Sequence, residues 1–183
     1  LEFDLDKHRR LKDLCAAFGV IYSCSVWDVI SAHQIASLHP VMIKVPSAQN
    51  LNWRLLRTLV DEYSGEIHIS LGMTTRSEEE SLVDFVSKSG RGADVVLYSC
   101  TSAYPVEDQD VCLLEISRLR EAYGAIVKEI GFSGHHLGIA MDSAATALGA
   151  EWIERHFTLN RAWRGTDHAA SLEPEAMRQT TID

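Results

Sequence analysis

Glu129-Ile130-Gly131-Phe132-Ser133-Gly134-His135-His136, followed by a helical pattern over 139–148 and then by Trp152-Ile153-Glu154-Arg155-His156-Phe157-Thr158, is the stretch that decides the fold. Each apolar run is short, ends in polar residues and reads as a strand, while the segment between them reads as a helix. A strand, a helix and a second strand in about thirty residues form a βαβ unit, with parallel strands and a right-handed crossover. The alternation extends toward the N-terminus, with apolar runs at 20–25, 42–45, 67–70 and 95–99 and helical patterns at 32–38, 51–63, 77–88 and 113–123. Six strands in this rhythm predict a parallel sheet, either closed as a barrel or open and doubly wound. No low-complexity linker divides the chain, so residues 1–183 read as one domain.

His135 and His156 each follow a strand, which carries two imidazoles to the same end of neighbouring strands. Imidazole is a common ligand for manganese, iron, cobalt and zinc, and ligands on successive parallel strands converge readily. The bland alternative is that each is a core or surface histidine satisfied by one hydrogen bond, and spacing alone does not decide between them.

Composition excludes several classes of function. The 183 residues are 46% hydrophobic and 23% charged, enough apolar content for a real core in an ordinary globular protein. A formal net charge of −9 offers no basic footprint for nucleic acid. No run approaches the roughly 18 apolar residues that span a bilayer. Cys15, Cys24, Cys100 and Cys112 lie far apart with no CxxC pair, behind a start that lacks a signal-peptide pattern. They read as reduced residues of a cytoplasmic protein, mostly packed beside strands.

Polar residues cluster where each strand ends: Ser25 and Asp28, Lys44 and Ser47, Ser70 and Thr74, Thr101 with Ser102 and Tyr104, Ser133 and His135, His156 and Asp167. In a parallel barrel that end of the strands is the catalytic face, where residues scattered in sequence meet. Helix capping competes as an explanation for the hydroxyls, and Thr75 and Ser77, ahead of Glu78 and Glu79, read as caps. Lys44 sits inside an apolar strand, where an unpaired ammonium is costly, so it is expected to meet an anion such as a phosphate or carboxylate.

Lys44-Val45-Pro46-Ser47-Ala48, Ser70-Leu71-Gly72-Met73-Thr74, Cys100-Thr101-Ser102-Ala103-Tyr104-Pro105, Gly131-Phe132-Ser133-Gly134-His135, and Glu154-Arg155-His156-Phe157-Thr158 continuing to Gly165-Thr166-Asp167-His168 together resemble the sialic acid synthase family. The motifs occur in the family's order and at similar spacing, from about Val20 to Pro174. The resemblance implies a (β/α)8 TIM barrel that condenses phosphoenolpyruvate with an N-acylated amino sugar, typically N-acetylmannosamine, to give a nine-carbon sialic acid and phosphate. It implies that His135 and His156 hold a divalent metal, usually manganese with magnesium or cobalt as alternatives, which polarises the sugar aldehyde. It further implies that Lys44, Ser47, Ser70, Ser133 and Ser25 hold the phosphate and carboxylate of phosphoenolpyruvate. Ser102, Tyr104 and Asp167 would face the sugar, and Glu154 would support the metal's surroundings beside the substrates. Lys44, His135, His156 and Asp167 are the residues expected to carry catalysis. C3 of phosphoenolpyruvate would attack the aldehyde, water would add at C2, and phosphate would leave by C–O cleavage. A homodimer is the expected assembly.

The chain departs from the family pattern in three places. Gly134 stands where the family's Ser-Asp-His motif has aspartate, and His136 follows where threonine is common, so His136 reads as an extra ligand, a sugar contact or a solvent-facing loop residue. A barrel needs eight strand–helix units in roughly 250 residues and six are visible. The missing pair would be the first two, which in the family carry a catalytic glutamate and lysine or glutamine contacts to substrate. Glu2, Asp4 and Asp6 belong instead to a helix ahead of the strand at 20–25. The expectation is an incomplete barrel, belonging to a longer protein or covered at its exposed edge by a second chain. No part of the family's C-terminal antifreeze-like domain is recognised up to Asp183, and the loop Asn160-Arg161-Ala162-Trp163-Arg164 reads as a source of sugar contacts or as a lid. Two other readings stay open: another metal-dependent barrel aldolase or hydrolase, with Lys44 as the one lysine candidate, and a binding or assembly module without catalysis.

Overall fold

A computed structural model of the chain describes residues 3–181. Five strands, β1 (Met42–Val45), β2 (Glu66–Ser70), β3 (Val95–Cys100), β4 (Glu129–Gly134) and β5 (Trp152–Arg155), form one sheet. Every neighbouring pair is parallel and the spatial order follows the chain, β1-β2-β3-β4-β5. A doubly wound sheet reverses its strand order at a switch point. This sheet never does, so of the two architectures left open by the sequence it has the winding of a barrel wall.

Helices α1 (Leu5–Ala17), α2 (Val29–Ala36), α3 (Trp53–Glu62), α4 (Arg76–Lys88), α5 (Leu114–Tyr123), α6 (Ala140–Ala147) and α7 (Pro174–Thr180) flank or connect the strands. Their starts follow local chemistry. Thr75 caps α4 in a reciprocal capping box with Glu78, so the capping explanation holds for Thr75, whereas Ser77 lies inside the first turn of α4 and is not the cap. Asp28 caps α2, with its side chain accepting from the Ser31 N–H, and Asp4 caps α1. Asp6 lies in the first turn of α1, as expected, and Glu2 falls outside the described residues.

Alternation along each strand separates two faces of the sheet. Ile43, Val45, Ile67, Ile69, Val95, Leu97, Ile130 and Phe132 point to the convex face and share one core with Leu55, Leu56 and Leu59 of α3, Leu82, Val83 and Val86 of α4, and Ile116 and Leu119 of α5. Each such side chain contributes roughly 1.5–3 kcal/mol by leaving water. The other parity, Met42, Lys44, His68, Tyr98, Trp152 and Glu154, lines the concave face. Gly131 is on that face, where a Cβ would come within 2.6 Å of the Tyr98 ring.

The strand expected at 20–25 is not formed. Only Ser25 makes a parallel bridge, to Lys44, with Lys44 N donating to Cys24 O and Val26 N to Lys44 O. The segment borders the sheet on one side only, and Val20 and Ile21 remain exposed, so no packing fixes them in extended pairing. The wall thus has five strands plus a one-residue sixth. Cys15, Cys24 and Cys100 are half-buried and Cys112 is exposed; all four are free. Cys112 is the exception that the expectation of mostly packed cysteines left room for: it precedes α5 in a left-handed turn with φ of 55°. Among the described residues no helix is long and apolar enough to cross a membrane.

Candidate active site

The C-terminal strand ends open onto a cavity of about 490 Å³. Lys44 enters from β1, Ser47 from the turn after it, Ser70 from the end of β2, Ser102 and Tyr104 from the loop after β3, and Ser133 from β4. His135 follows β4, Glu154 lies in β5, His156 follows β5, Asp167 comes from the next loop, and Ser25 sits at the bridge beside Lys44. All eleven residues expected to form the site thus line one cavity, although Ser25 and Asp167 are far apart in the chain, whereas Asp28, Thr74 and Thr101 of the same strand-end clusters do not line it.

Lys44 is buried, and its Nζ donates to Ser70 Oγ at 2.6 Å and to Val45 O at 3.2 Å. Its counterion is Glu154, 3.4 Å away. The ammonium therefore meets a carboxylate from within the protein. Burial holds its pKa below the ordinary lysine value, and Glu154 opposes that shift. An anion entering the cavity would act in the same sense as Glu154.

His135 is buried, and its Nδ1 lies 3.0 Å from Thr101 O. A carbonyl only accepts, so Nδ1 carries the proton and Nε2 keeps its lone pair. Burial, then the neighbouring His156, pushes the His135 pKa down, which favours the neutral ring that a metal requires. The His135 and His156 ring centroids are 5.2 Å apart, and the Tyr104 ring lies 4.2 Å from His135. His156 Nδ1 is 3.7 Å from Asp167 Oδ2, close enough for electrostatic contact but beyond a hydrogen bond. Among the described residues no group of three or more His, Cys, Asp or Glu side chains stands in metal-holding geometry. The donor set fits a divalent ion held by two imidazoles with its other positions open to water or substrate. It does not fit a closed structural site.

A second corner of the cavity gathers hydroxyls. Ser47 Oγ accepts from the Gly72 N–H at 3.1 Å, and Ser102 Oγ is buried with no hydrogen-bond partner among the described residues. A Cβ on Gly72 would lie 2.3 Å from Ser102 Oγ and 2.6 Å from Ser47 Oγ, so only glycine leaves this corner open. Asn50, missed in the sequence reading, holds the corner from behind by donating to Ser70 O at 2.9 Å and Gly72 O at 3.1 Å. Its signal was a lone amide just after the Pro46-Ser47 turn, which resembles an ordinary loop residue.

His136 is fully buried, not solvent-facing, and it does not line the cavity. It turns away from the site because successive residues alternate in direction, and there its Nε2 accepts from Arg155 Nη1 at 3.0 Å. That excludes it as an extra metal ligand or sugar contact in this arrangement. In the 160–164 loop, Arg161 is tied to Ala169 O and Trp163 packs edge-on against His168, with ring centroids 5.7 Å apart.

These features define a class: a singly wound parallel α/β half-barrel whose polar cavity lies at the C-terminal ends of its strands, the catalytic face of that architecture. The family model described as the NeuB family matches residues 1–182, and the chain belongs to that family. It is 35% identical over 181 residues to the N-acetylneuraminate-9-phosphate synthase of Drosophila melanogaster, covering 99% of this chain and 48% of that protein. It is 31% identical to the N,N'-diacetyllegionaminic acid synthase of Campylobacter jejuni, covering 97% of this chain and 52% of that protein. The solved structure of the N-acetylneuraminic acid synthetase of Leptospira borgpetersenii, in complex with citrate, superposes with a TM-score of 0.92 at 28% identity, over 99% of this chain and 61% of that one. The chain spans about half the length of the curated relatives it matches.

Proposed function

We propose that the cavity binds phosphoenolpyruvate beside an N-acylated amino sugar and serves a sialic-acid-type synthase reaction, within a complete (β/α)8 barrel. The observation that carries this reading is the convergence of a buried ammonium, several serine hydroxyls and a pair of imidazoles in one cavity at the strand ends. Relatives named as synthases of N-acetylneuraminate-9-phosphate and of diacetyllegionaminic acid support it.

In this reading Lys44, Ser47, Ser70, Ser133 and Ser25 hold the phosphate and carboxylate of phosphoenolpyruvate. Fixed donors of this kind favour a transition state in which charge builds on oxygen. Ser102, Tyr104 and Asp167 face the sugar, and the apolar ring of Tyr104 limits how it can turn. Bond formation joins C3 of phosphoenolpyruvate to the aldehyde carbon; water adds at C2, and phosphate departs with its C–O bond broken. His135 and His156 would hold a divalent ion, manganese first and magnesium or cobalt next, with Glu154 beside them. Such an ion supplies Lewis-acid polarisation of the aldehyde oxygen. A homodimer and a cytoplasmic location accompany this reading on family resemblance alone.

One observation favours a second reading. A buried lysine with a lowered pKa, on a strand of a parallel barrel wall, is also what a Schiff-base aldolase requires. Phosphate release from phosphoenolpyruvate, measured with manganese and a panel of N-acylated hexosamines, separates the two. The synthase reading expects sugar-dependent release that disappears in His135→Ala and His156→Ala. Borohydride trapping of a carbonyl substrate on Lys44, with no phosphate released, would replace it with the aldolase.

A further inference from the structure

Behind the cavity, on the side facing away from substrate, Arg155 is buried among three segments of chain. Its side chain is 2% exposed, as is that of its partner Asp142 in the first turn of α6, and the two meet at 2.5 Å. Nη1 also lies within hydrogen-bonding distance of Gly138 O at 2.9 Å and His136 Nε2 at 3.0 Å, so its two hydrogens are shared among three acceptors, while Nη2 donates to His136 O at 2.7 Å and reaches Ala170 O at 3.5 Å. One guanidinium thereby grips the turn after β4, the start of α6 and the turn that follows Asp167.

Two of the gripped segments, and the strand that bears Arg155 itself, each carry a cavity group, whereas the start of α6 supplies only the Asp142 brace. The turn after β4 begins with His135, Arg155 itself precedes His156, and Ala170 ends the short helical turn His168–Ala170 that Asp167 opens. Only backbone alternation separates Arg155, facing inward to the protein, from Glu154 and His156, facing the cavity.

The cluster is poorly built for stability alone. His136 Nδ1, Asp142 Oδ1 and Arg155 Nε are buried with no hydrogen-bond partner among the described residues. A buried ion pair of this kind can often be replaced by packed apolar side chains without loss of stability. Its distinct property is geometric, since a planar guanidinium with five donors fixes the direction of every group it touches.

We propose that Arg155, braced by Asp142, is a positioning residue that sets the relative placement of His135 and His156 for divalent-cation binding. This rests on the metal-assisted reading above. Loss of partners that orient metal ligands typically costs 10- to 100-fold in metal affinity.

The test measures manganese binding directly, with the metal alone and no turnover, by the paramagnetic resonance signal of free Mn2+ over the full chain. Three variants are compared with the wild type: Arg155→Lys, Arg155→Met, and the double variant Asp142→Leu with Arg155→Met, which leaves no unpaired buried charge. Thermal unfolding is recorded for each. The expected result is that the double variant unfolds near the wild-type temperature yet binds manganese at least 10-fold more weakly, with Arg155→Lys recovering part of the loss. Equal affinity in wild type and double variant would overturn the positioning role while leaving the functional reading intact. A wild-type chain that binds no manganese would overturn both.

Discussion

Lys44 on β1 and Glu154 on β5 are placed at opposite edges of the five-stranded sheet, yet their charged groups lie 3.4 Å apart. Four strand spacings of about 4.8 Å would separate their backbones by roughly 19 Å in a flat sheet, farther than the two side chains can reach. The sheet is therefore rolled, and the ion pair closes the chord of the roll. This single contact ties fold to site: it needs the curvature of a barrel wall, and it holds a buried ammonium at the mouth of that wall.

Removing the ammonium tests the anion-binding role. Lys44→Met keeps the length of the stem but leaves Ser70 Oγ without its donor and Glu154 without its counterion. Hydrogen bonds to charged groups are worth about 1.5–3 kcal/mol, so kcat/KM for phosphoenolpyruvate should fall roughly 10- to 150-fold. Steady-state phosphate release against phosphoenolpyruvate concentration measures it. A KM for phosphoenolpyruvate that stays at the wild-type value would remove Lys44 from the anion site.

Gly72→Ala probes the hydroxyl corner. The new methyl would collide with Ser47 Oγ and Ser102 Oγ, which are tips of short side chains able to rotate away. Relief by rotation should hold the stability cost to about 1 kcal/mol, a lowering of roughly 2–4 °C in Tm. Binding should suffer more, because the displaced hydroxyls no longer face the cavity. The expected outcome is a rise in substrate KM of about 10-fold with a Tm lowered by only those few degrees. Unaltered KM with unaltered Tm would mean that this corner binds nothing.

The strand ends were legible in the sequence because two independent signals coincide there: an apolar run stops and a polar residue follows. That rule brought Ser70, Ser133, His135 and His156 to one cavity without any contact information. It failed at 20–25, where hydrophobicity alone promised a strand and the absence of a neighbour on one side left only the Ser25 bridge. His136 was misplaced for a related reason. Two adjacent histidines look alike in a sequence, but backbone alternation sends one toward the cavity and the other into a buried cluster with Arg155 and Asp142. That cluster joins residues from β5, α6 and the turn after β4, and a pairing across three elements leaves no local periodicity to read.

Acid should destabilise the protein through its buried neutral histidines. His68 on β2 donates from Nε2 to Glu66 at 3.2 Å, and its Nδ1 accepts from the Tyr98 hydroxyl at 2.8 Å; Lys44, Glu154 and Trp152 face it from β1 and β5. Burial pushes its pKa below the ordinary histidine value. His136 is pushed down to about 4, first by burial and then by Arg155. The unfolded chain takes up these protons near pH 6.5, whereas the folded protein resists them. Stability is thus fully present above about pH 6.5 and is lost as pH falls toward the folded-state values, by about 3 kcal/mol for His136 alone. Urea midpoints at pH 7.5 and pH 5 should differ, with the lower value in acid, and His68→Gln should reduce the difference. Coincident midpoints would contradict the neutral, buried state of both rings.

Phe132 supplies the last test, because it stands where the convex core meets the site. It is 1% exposed on β4, and its ring stacks on His136 with centroids 6.0 Å apart. Ser133, next in the chain, points the other way into the cavity. Phe132→Ala removes a full aromatic from a packed interior, at a cost of about 3–5 kcal/mol. For a chain of this size that corresponds to a Tm lower by roughly 6–20 °C. The cost should be shared unequally: the core loses packing, and His136 loses the ring that holds it against Arg155. Phe132→Leu refills most of the volume but not the flat face, so it should restore most of the Tm. Manganese affinity in Phe132→Leu then reports on the His136 contact alone. A weakened ion site at near wild-type stability would place Phe132 in the chain of contacts that orients His135, whereas full affinity would confine it to the core.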